Sequence, residues 1–248
     1  MIRLIRAEFA KLRTTRFIYG LTAGMAAFAV LTVVAGIAYA GQEGNPSLSA
    51  DSLSTIVAAP VTLLSGAALL LGILGMAGEF RHQTVTQTFL VTPDRGRVVA
   101  AKLVAYPLAG ITLALTILAS TAAVATGWLA AKGITPSLFN ARLGRVLLGA
   151  VLAAGLCGLL GVGVAALVRN QVAALVGVAV WVLLIEGLLM SLLQAPSLGK
   201  WLPSAAAAAL TNPGGAPLSR LAGTLLLAGY GLALALAGTR LVVRRDIT

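Results

Sequence analysis

The chain has 248 residues, of which 59% are hydrophobic and only 10% are charged, and its formal net charge is +11 at pH 7. A soluble globular domain carries about 25% charged residues, so this composition excludes an ordinary water-soluble fold and predicts a multi-pass membrane protein. A strongly basic chain could bind nucleic acid, but lysine and arginine collect in the cytoplasmic loops of membrane proteins, so we expect no nucleic-acid partner.

The first predicted element is an amphipathic helix at the N-terminus. One face of this helix is apolar at three- and four-residue spacing and consists of Ile2, Ile5, Phe9 and Leu12. Arginines lie beside or opposite that face, which predicts that residues 1–16 form an interfacial helix with its cations near anionic lipid. The alternative is a plain basic flank that only sets the topology.

Six apolar runs follow, and each is long enough to cross a bilayer, which takes about 20 mostly apolar residues. They predict transmembrane helices at approximately 17–40, 54–78, 98–130, 144–168, 171–194 and 218–241. A shorter stretch within 198–215 predicts an additional outer helix before the sixth span. We therefore expect one all-α transmembrane domain over residues 1–248.

The positions of lysine and arginine predict the orientation. If the N-terminus is placed inside the cell, most of the 18 basic residues fall in segments on the cytoplasmic side. This excess of positive charge is typical of inner loops. It predicts a multi-pass protein of the cell (plasma) membrane with both termini in the cytoplasm.

The segment 79–96 joins the second and third spans on that side and is polar. Val85 and Phe89 lie four residues apart, which predicts a short helix with an apolar face. A helix fixed to two transmembrane helices would move both when a force acts on it, and a soluble partner could grip it through these two side chains. The alternative is an interfacial loop helix that has no partner.

This segment resembles the first intracellular segment of ABC-2 type permeases, the membrane subunits of ATP-binding cassette exporters. In that family a Glu-(Phe/Tyr)-Arg sequence precedes a threonine-rich helix, a (Ser/Thr)-Pro turn and a lysine at the start of the third span. The matching residues are Glu79, Phe80, Arg81, Thr84, Thr88, Thr92, Pro93 and Lys102. The basic N-terminal helix, the six spans and the basic C-terminal tail also fit, so the resemblance extends over nearly the whole chain.

The resemblance implies a six-helix ABC-2 bundle, like that of type V exporters, whose short cytoplasmic helix is a coupling helix that docks onto a separate ATPase. The residues implied in ATPase coupling are Glu79, Phe80, Arg81, Thr84, Val85, Thr88 and Phe89. Two permease chains, identical or different, would pair as a homodimer or heterodimer. Because the sequence has no Gly-x-x-x-x-Gly-Lys-(Ser/Thr) loop, we expect no enzyme activity and no cofactor in this chain; ATP and Mg²⁺ would bind the ATPase partner.

Glu186 is the only acid inside the apolar runs. An ionised acid in the bilayer costs roughly 2.5–3.5 kcal/mol on insertion scales. Two roles are open: contact with a cationic substrate or a gate at the dimer seam, or a protonated or hydrogen-bonded carboxyl that holds helices together. His82 and Cys157 are the only histidine and cysteine, so we expect neither an intrachain disulfide nor a metal site.

The favoured function is the permease of an ATP-driven exporter, and the apolar bundle favours a hydrophobic or amphipathic cargo, as in multidrug efflux. A secondary transporter usually carries several intramembrane ionisable groups, whereas these spans carry one acid. An intramembrane enzyme needs a nucleophile and a base, or a metal, at one depth. A non-transporting membrane anchor subunit is a further alternative that the sequence leaves open.

Overall fold

The computed structural model describes residues 1–40, 42, 56, 59–81, 95–131, 133, 141–193, 196–211, 216 and 218–244. Within these ranges the regular secondary structure is helical and contains no strand. Six helices are long and apolar enough to cross a membrane. The all-α class and the number of candidate spans are therefore confirmed for the described part of the chain.

The helices in chain order are α1 (Ile2–Thr14), α2 (Arg16–Tyr39), α3 (Val61–Arg81), α4 (Arg95–Ala131), α5 (Ala141–Val168), α6 (Gln171–Val180), α7 (Glu186–Leu193), α8 (Pro196–Gly199), α9 (Pro203–Thr211) and α10 (Arg220–Arg244). A π-helical turn, Trp181–Ile185, joins α6 to α7. The candidate spans are α2, α3, α4, α5, the continuous unit α6–α7, and α10.

The boundary of the second span differs from the expectation. We expected that span to end at residue 78, before the charges of Glu79 and Arg81, but α3 continues through both residues. The helix accommodates Glu79 because its carboxylate is paired with lysines inside the bundle. Since α4 begins at Arg95, the connecting segment is 82–94, shorter than the expected 79–96, and it lies outside the described residues.

Helix α5 occupies the centre of the bundle. In the apolar 18-residue stretch of α5 that would cross the membrane, 67% of the residues are buried, against 17% in α2 and 11% in the α6–α7 unit. Glycines let α5 approach α3 closely, because a Cβ at Gly72 would collide with the carbonyl oxygen of Gly158, and one at Gly161 with that of Leu69. Backbone contact of this kind is how small residues pack membrane helices.

The expected short helix before the sixth span is formed by α9. Its buried residues are Ala206, Ala209 and Leu210, and two of them, Ala206 and Leu210, belong to one apolar cluster with Leu227 of α10 and Ala153 of α5. The helix is therefore integrated into the bundle. By contrast, α2 and the α6–α7 unit bury few of their apolar side chains.

The turn between α5 and α6 reverses the chain in two residues. Arg169 adopts a left-handed backbone conformation with φ 57°. The side chain of Asn170 then accepts a hydrogen bond of 3.0 Å from the backbone N–H of Ala173 and caps α6. Such a cap satisfies one of the backbone donors that a helix start leaves open, which fixes where the fifth span begins.

Candidate functional site: a buried ionic cluster beside the segment 82–94

Four charged side chains from three helices meet at the end of the bundle where α3 ends and α4 begins. They are Glu8 and Lys11 of α1, Glu79 of α3 and Lys102 of α4. We call them the ionic cluster. The side chain of Lys102 is only 1% exposed and that of Glu8 only 5%, so the cluster is an interior feature.

Lys102 is the centre of the ionic cluster. Its Nζ donates to Glu8 Oε2 at 2.7 Å, to Glu79 Oε1 at 2.9 Å and to the carbonyl oxygen of Gly75 at 3.2 Å. An ammonium group has three donor protons, and here each has an acceptor. Complete pairing of this kind is the condition under which a charge is tolerated away from water.

Gly75 and Tyr106 shape the space around Lys102. A Cβ at position 75 would overlap the ring of Tyr106, so only glycine lets this ring lie against the α3 backbone. The Lys102 ammonium lies 5.6 Å from the centroid of the same ring, within cation–π range. The glycine therefore serves both the packing of α3 on α4 and the hydrogen bond from Lys102.

Lys11 closes the ionic cluster from its outer side and is 46% exposed. Its Nζ donates to Glu8 Oε1 at 2.8 Å and to Glu79 Oε1 at 2.6 Å. Partial burial lowers the pKa of Lys11, but the hydrogen bonds and charges of Glu79 and Glu8 outweigh it and raise the pKa above its usual value. Lys11 is therefore charged at neutral pH, so that two ammonium groups face two carboxylates.

The ionic cluster joins three helices beside the segment 82–94. Glu79 lies two residues before the end of α3, and Lys102 lies about two turns into α4. Glu8 connects Lys102 to α1, and Lys11 connects Glu79 to the same helix. The apolar contacts of Ile5 and Phe9 also hold α1 against the core. The ionic cluster therefore links α1 to the ends of both spans that flank the segment.

The structure places the residues expected in ATPase coupling in different environments. The Glu79 carboxylate is held inside the chain, Phe80 is half-buried against the core, and Arg81 is exposed. The remaining residues fall outside the described part of the chain; they are Thr84, Val85, Thr88 and Phe89, together with His82, Thr92 and Pro93 of the same segment. The coupling role of the segment therefore stays a prediction.

Glu186 is 5% exposed, and its Oε1 accepts a hydrogen bond of 2.8 Å from the indole Nε1 of Trp181. The π-helical turn Trp181–Ile185 explains this contact, because residues five apart come close to alignment in a π-helix but not in an α-helix. This geometry agrees with the hydrogen-bonded alternative considered for the carboxyl. A contact with substrate stays a prediction.

Glu8 and Lys11 were not predicted from the sequence to belong to a site. Glu8 lies three residues after Ile5 and one before Phe9, so it belongs to the apolar face of α1. An acid on the buried face of an amphipathic helix needs a cation nearby, and that was the available signal. Within the described residues, no group of three or more histidine, cysteine or acidic side chains could hold a metal ion.

A comparison with protein families gives a match over residues 4–187, to the family described as ABC-2 family transporter protein. The matched region runs from α1 into the first turn of α7 and contains the ionic cluster, the segment 82–94 and Glu186. No curated protein matches the sequence.

Proposed function

The chain belongs to the ABC-2 family of transporter proteins, and from that premise we propose that it is the permease subunit of an ATP-driven exporter. A separate ATP-binding cassette ATPase would bind ATP and Mg²⁺ and would dock onto the segment 82–94. The permease would lie in the cell membrane with both termini in the cytoplasm, as the distribution of basic residues suggests.

The ionic cluster is the observation that carries this proposal. A loop that only connects two spans has no need of a buried ion network beside it. Here Glu79 and Lys102 bind each other across α3 and α4, and Glu8 adds α1 to the same unit. Force applied by a soluble partner to the segment would therefore move three helices together instead of bending one connection.

The strength of the ionic cluster supports this mechanical role. Removal of one member of a buried ion pair typically costs about 3–5 kcal/mol, because the other charge is left without its partner. That cost is the penalty for leaving a buried charge without its partner, and it favours the paired arrangement inside the bundle. Displacement of the segment 82–94 would then move α3 and α4 together, because the ionic cluster holds the two helices to each other.

Pairing of two permease chains and an amphipathic cargo belong to the same proposal. The least buried spans, α2 and α6–α7, expose apolar faces that a second chain could cover. Glu186 lies on the second of these spans and is already buried within the single chain, so a dimer seam along that span would place the partner close to it. The apolar character of the bundle favours a hydrophobic or amphipathic cargo.

The test is co-expression with a candidate ATPase, followed by purification and transport assays in proteoliposomes. We expect the two proteins to purify together and Phe89→Asp to abolish this association, since a charge would face the apolar groove of the ATPase. Phe89→Leu is the matched control and should retain association. Transport driven by an ion gradient without the ATPase would favour a secondary transporter, and association unaffected by Phe89→Asp would exclude the segment 82–94 as the docking site.

A further inference from the structure

A cavity of about 190 Å³ lies between α1, α2, α3 and α4, on the side of the bundle next to the ionic cluster. Phe9 and Leu12 line it from α1, Leu71 from α3 and Leu113 from α4. Tyr19 of α2 also lines it and is 60% exposed, so the cavity opens sideways towards the surroundings of the bundle. In a membrane-spanning chain, that opening faces lipid.

The hydroxyl groups in the lining are already hydrogen-bonded within the protein. Thr22, Thr112 and Thr116 each donate to the carbonyl oxygen four residues earlier in their own helix, at 2.8, 2.8 and 2.9 Å. The Tyr19 hydroxyl donates to the backbone carbonyl of Arg13 at 2.8 Å. These hydroxyl groups therefore need no hydrogen bond from a ligand, and the lining suits a hydrocarbon chain.

The guanidinium of Arg13 is the exception in the lining. Within the described part of the chain, no hydrogen bond or ion pair engages this side chain. Arg13 lies at the end of α1, at the mouth of the cavity, and is exposed. A guanidinium presents a planar set of donors that matches phosphate oxygens. An apolar cavity with one unpaired guanidinium at its opening fits an amphiphile with an anionic head group.

The lining residues of α3 and α4 lie at the depth of a lipid chain. Leu113 lies eleven residues along α4 from Lys102, which corresponds to about 16 Å of helix, and Leu71 lies eight residues along α3 from Glu79, which corresponds to about 12 Å. One leaflet of a bilayer has a hydrocarbon thickness of about 15 Å. The walls formed by Leu71 and Leu113 are thus at a depth that an acyl chain reaches.

We propose that this cavity binds one anionic phospholipid, with its phosphate at Arg13 and an acyl chain along Leu71 and Leu113. The same lipid contacts Phe9 and Leu12, so it holds α1 against α3 and α4 beside the ionic cluster. The site requires only that the chain spans a membrane. It is therefore independent of the proposed export activity and is tested without any ATPase.

The test is native mass spectrometry of the full-length chain in mild detergent, after incubation with phosphatidylglycerol or with phosphatidylcholine of the same acyl chains. We expect one phosphatidylglycerol per chain and about tenfold lower retention of phosphatidylcholine, because the charge-assisted contact is weaker there. Arg13→Gln should reduce phosphatidylglycerol retention to the phosphatidylcholine level, and Arg13→Lys should restore most of it. Arg6→Gln removes the same charge from an exposed position of α1 and should leave retention unchanged.

A second pair of variants tests the cavity itself. Ala109 lines the wall on α4, so Ala109→Phe should fill the slot and abolish retention, whereas Leu115→Phe on the exposed side of α4 should not. Equal retention of both lipids by the wild-type chain would overturn the proposal and needs no variant. Equal loss of phosphatidylglycerol in Arg13→Gln and Arg6→Gln would also overturn the proposal. Full retention in Ala109→Phe, or a bound amphiphile that is not a phospholipid, would overturn it as well.

Discussion

Lysine is the residue that the centre of the ionic cluster requires. The three acceptors around Lys102, from Glu8, Glu79 and Gly75, lie in three different directions and at hydrogen-bond distance from one nitrogen atom. A compact ammonium group with three donors satisfies all of them, whereas the planar fork of arginine is larger and cannot. The Tyr106 ring occupies the space that a longer side chain would need. Substitution by arginine is therefore not conservative at this position.

Removal of the central cation should be far more damaging than removal of the outer one. We expect Lys102→Met to lower the free energy of unfolding by roughly 3–5 kcal/mol, since it leaves two buried carboxylates with only Lys11 as a partner. Lys11→Met, at a half-exposed site, should cost about 1 kcal/mol or less. Unfolding by SDS titration, followed by circular dichroism, measures both.

The double variant Glu8→Gln with Lys102→Met provides the control for that comparison. Because the two residues are direct partners, the cost of the double variant should be smaller than the sum of the two single costs. Additive costs, or equal costs for Lys102→Met and Lys11→Met, would contradict a buried and mutually dependent cluster.

The negative charge of Glu186 can be tested separately from the hydrogen bond that its side chain accepts. Glutamine retains an oxygen that accepts the hydrogen bond from Trp181, but it removes the negative charge. If the charge serves a cationic cargo or a gate, Glu186→Gln should lower transport in proteoliposomes while the melting temperature stays close to that of the wild type. Trp181→Phe, which removes the donor together with part of the ring, should instead lower the melting temperature. Unchanged transport in a well-folded Glu186→Gln protein would exclude Glu186 from the transport path.

At the level of the helices, the sequence predicts local features well and pairings across the chain poorly. Of the apolar face predicted for α1, Ile5, Phe9 and Leu12 contact the core, whereas Ile2 at the start of the helix is 71% exposed. The partner of Glu8, however, is 94 residues away, and no local pattern indicates which distant cation an acid will meet. For the same reason the sequence did not indicate that α3 continues to Arg81 through Glu79, whose carboxylate pairs with Lys102.

Close contact of α3 with α5 makes a prediction at this level. A Cβ at Gly161 would collide with the carbonyl oxygen of Leu69, which is backbone and cannot move aside. We expect Gly161→Ala to cost about 1–3 kcal/mol because the helices must separate. Gly20→Ala in α2, where a Cβ meets nothing within 4 Å, is the matched control and should be neutral or slightly stabilising. The same SDS titration checks both, and a similar cost for the two variants would contradict tight packing at Gly161.

At the level of the whole molecule, the sequence predicts the number of spans but not their arrangement. All six candidate spans are apolar, so hydrophobicity alone does not show which one is central. The density of glycine and alanine in α5 was the available indication, since small residues permit close neighbours on several sides. The ionic cluster adds an asymmetry, because it gathers buried charge at the end of the bundle beside the segment 82–94.

This asymmetry predicts how the ratio of transport to ATP hydrolysis changes when the ionic cluster is weakened. Glu8→Gln removes one carboxylate charge from the ionic cluster and weakens the connection of α1, while the docking segment is unchanged. We expect the variant to bind the ATPase as the wild type does but to transport less cargo for each ATP hydrolysed, because force on the segment would no longer move α1 with α3 and α4. The ratio of transport to ATP hydrolysis in proteoliposomes measures this. Arg6→Gln, on the exposed side of α1, should leave the ratio unchanged. Equal reduction of ATPase binding and transport in Glu8→Gln would show instead that the cluster only supports docking, and an unchanged ratio would show that α1 takes no part in transmission.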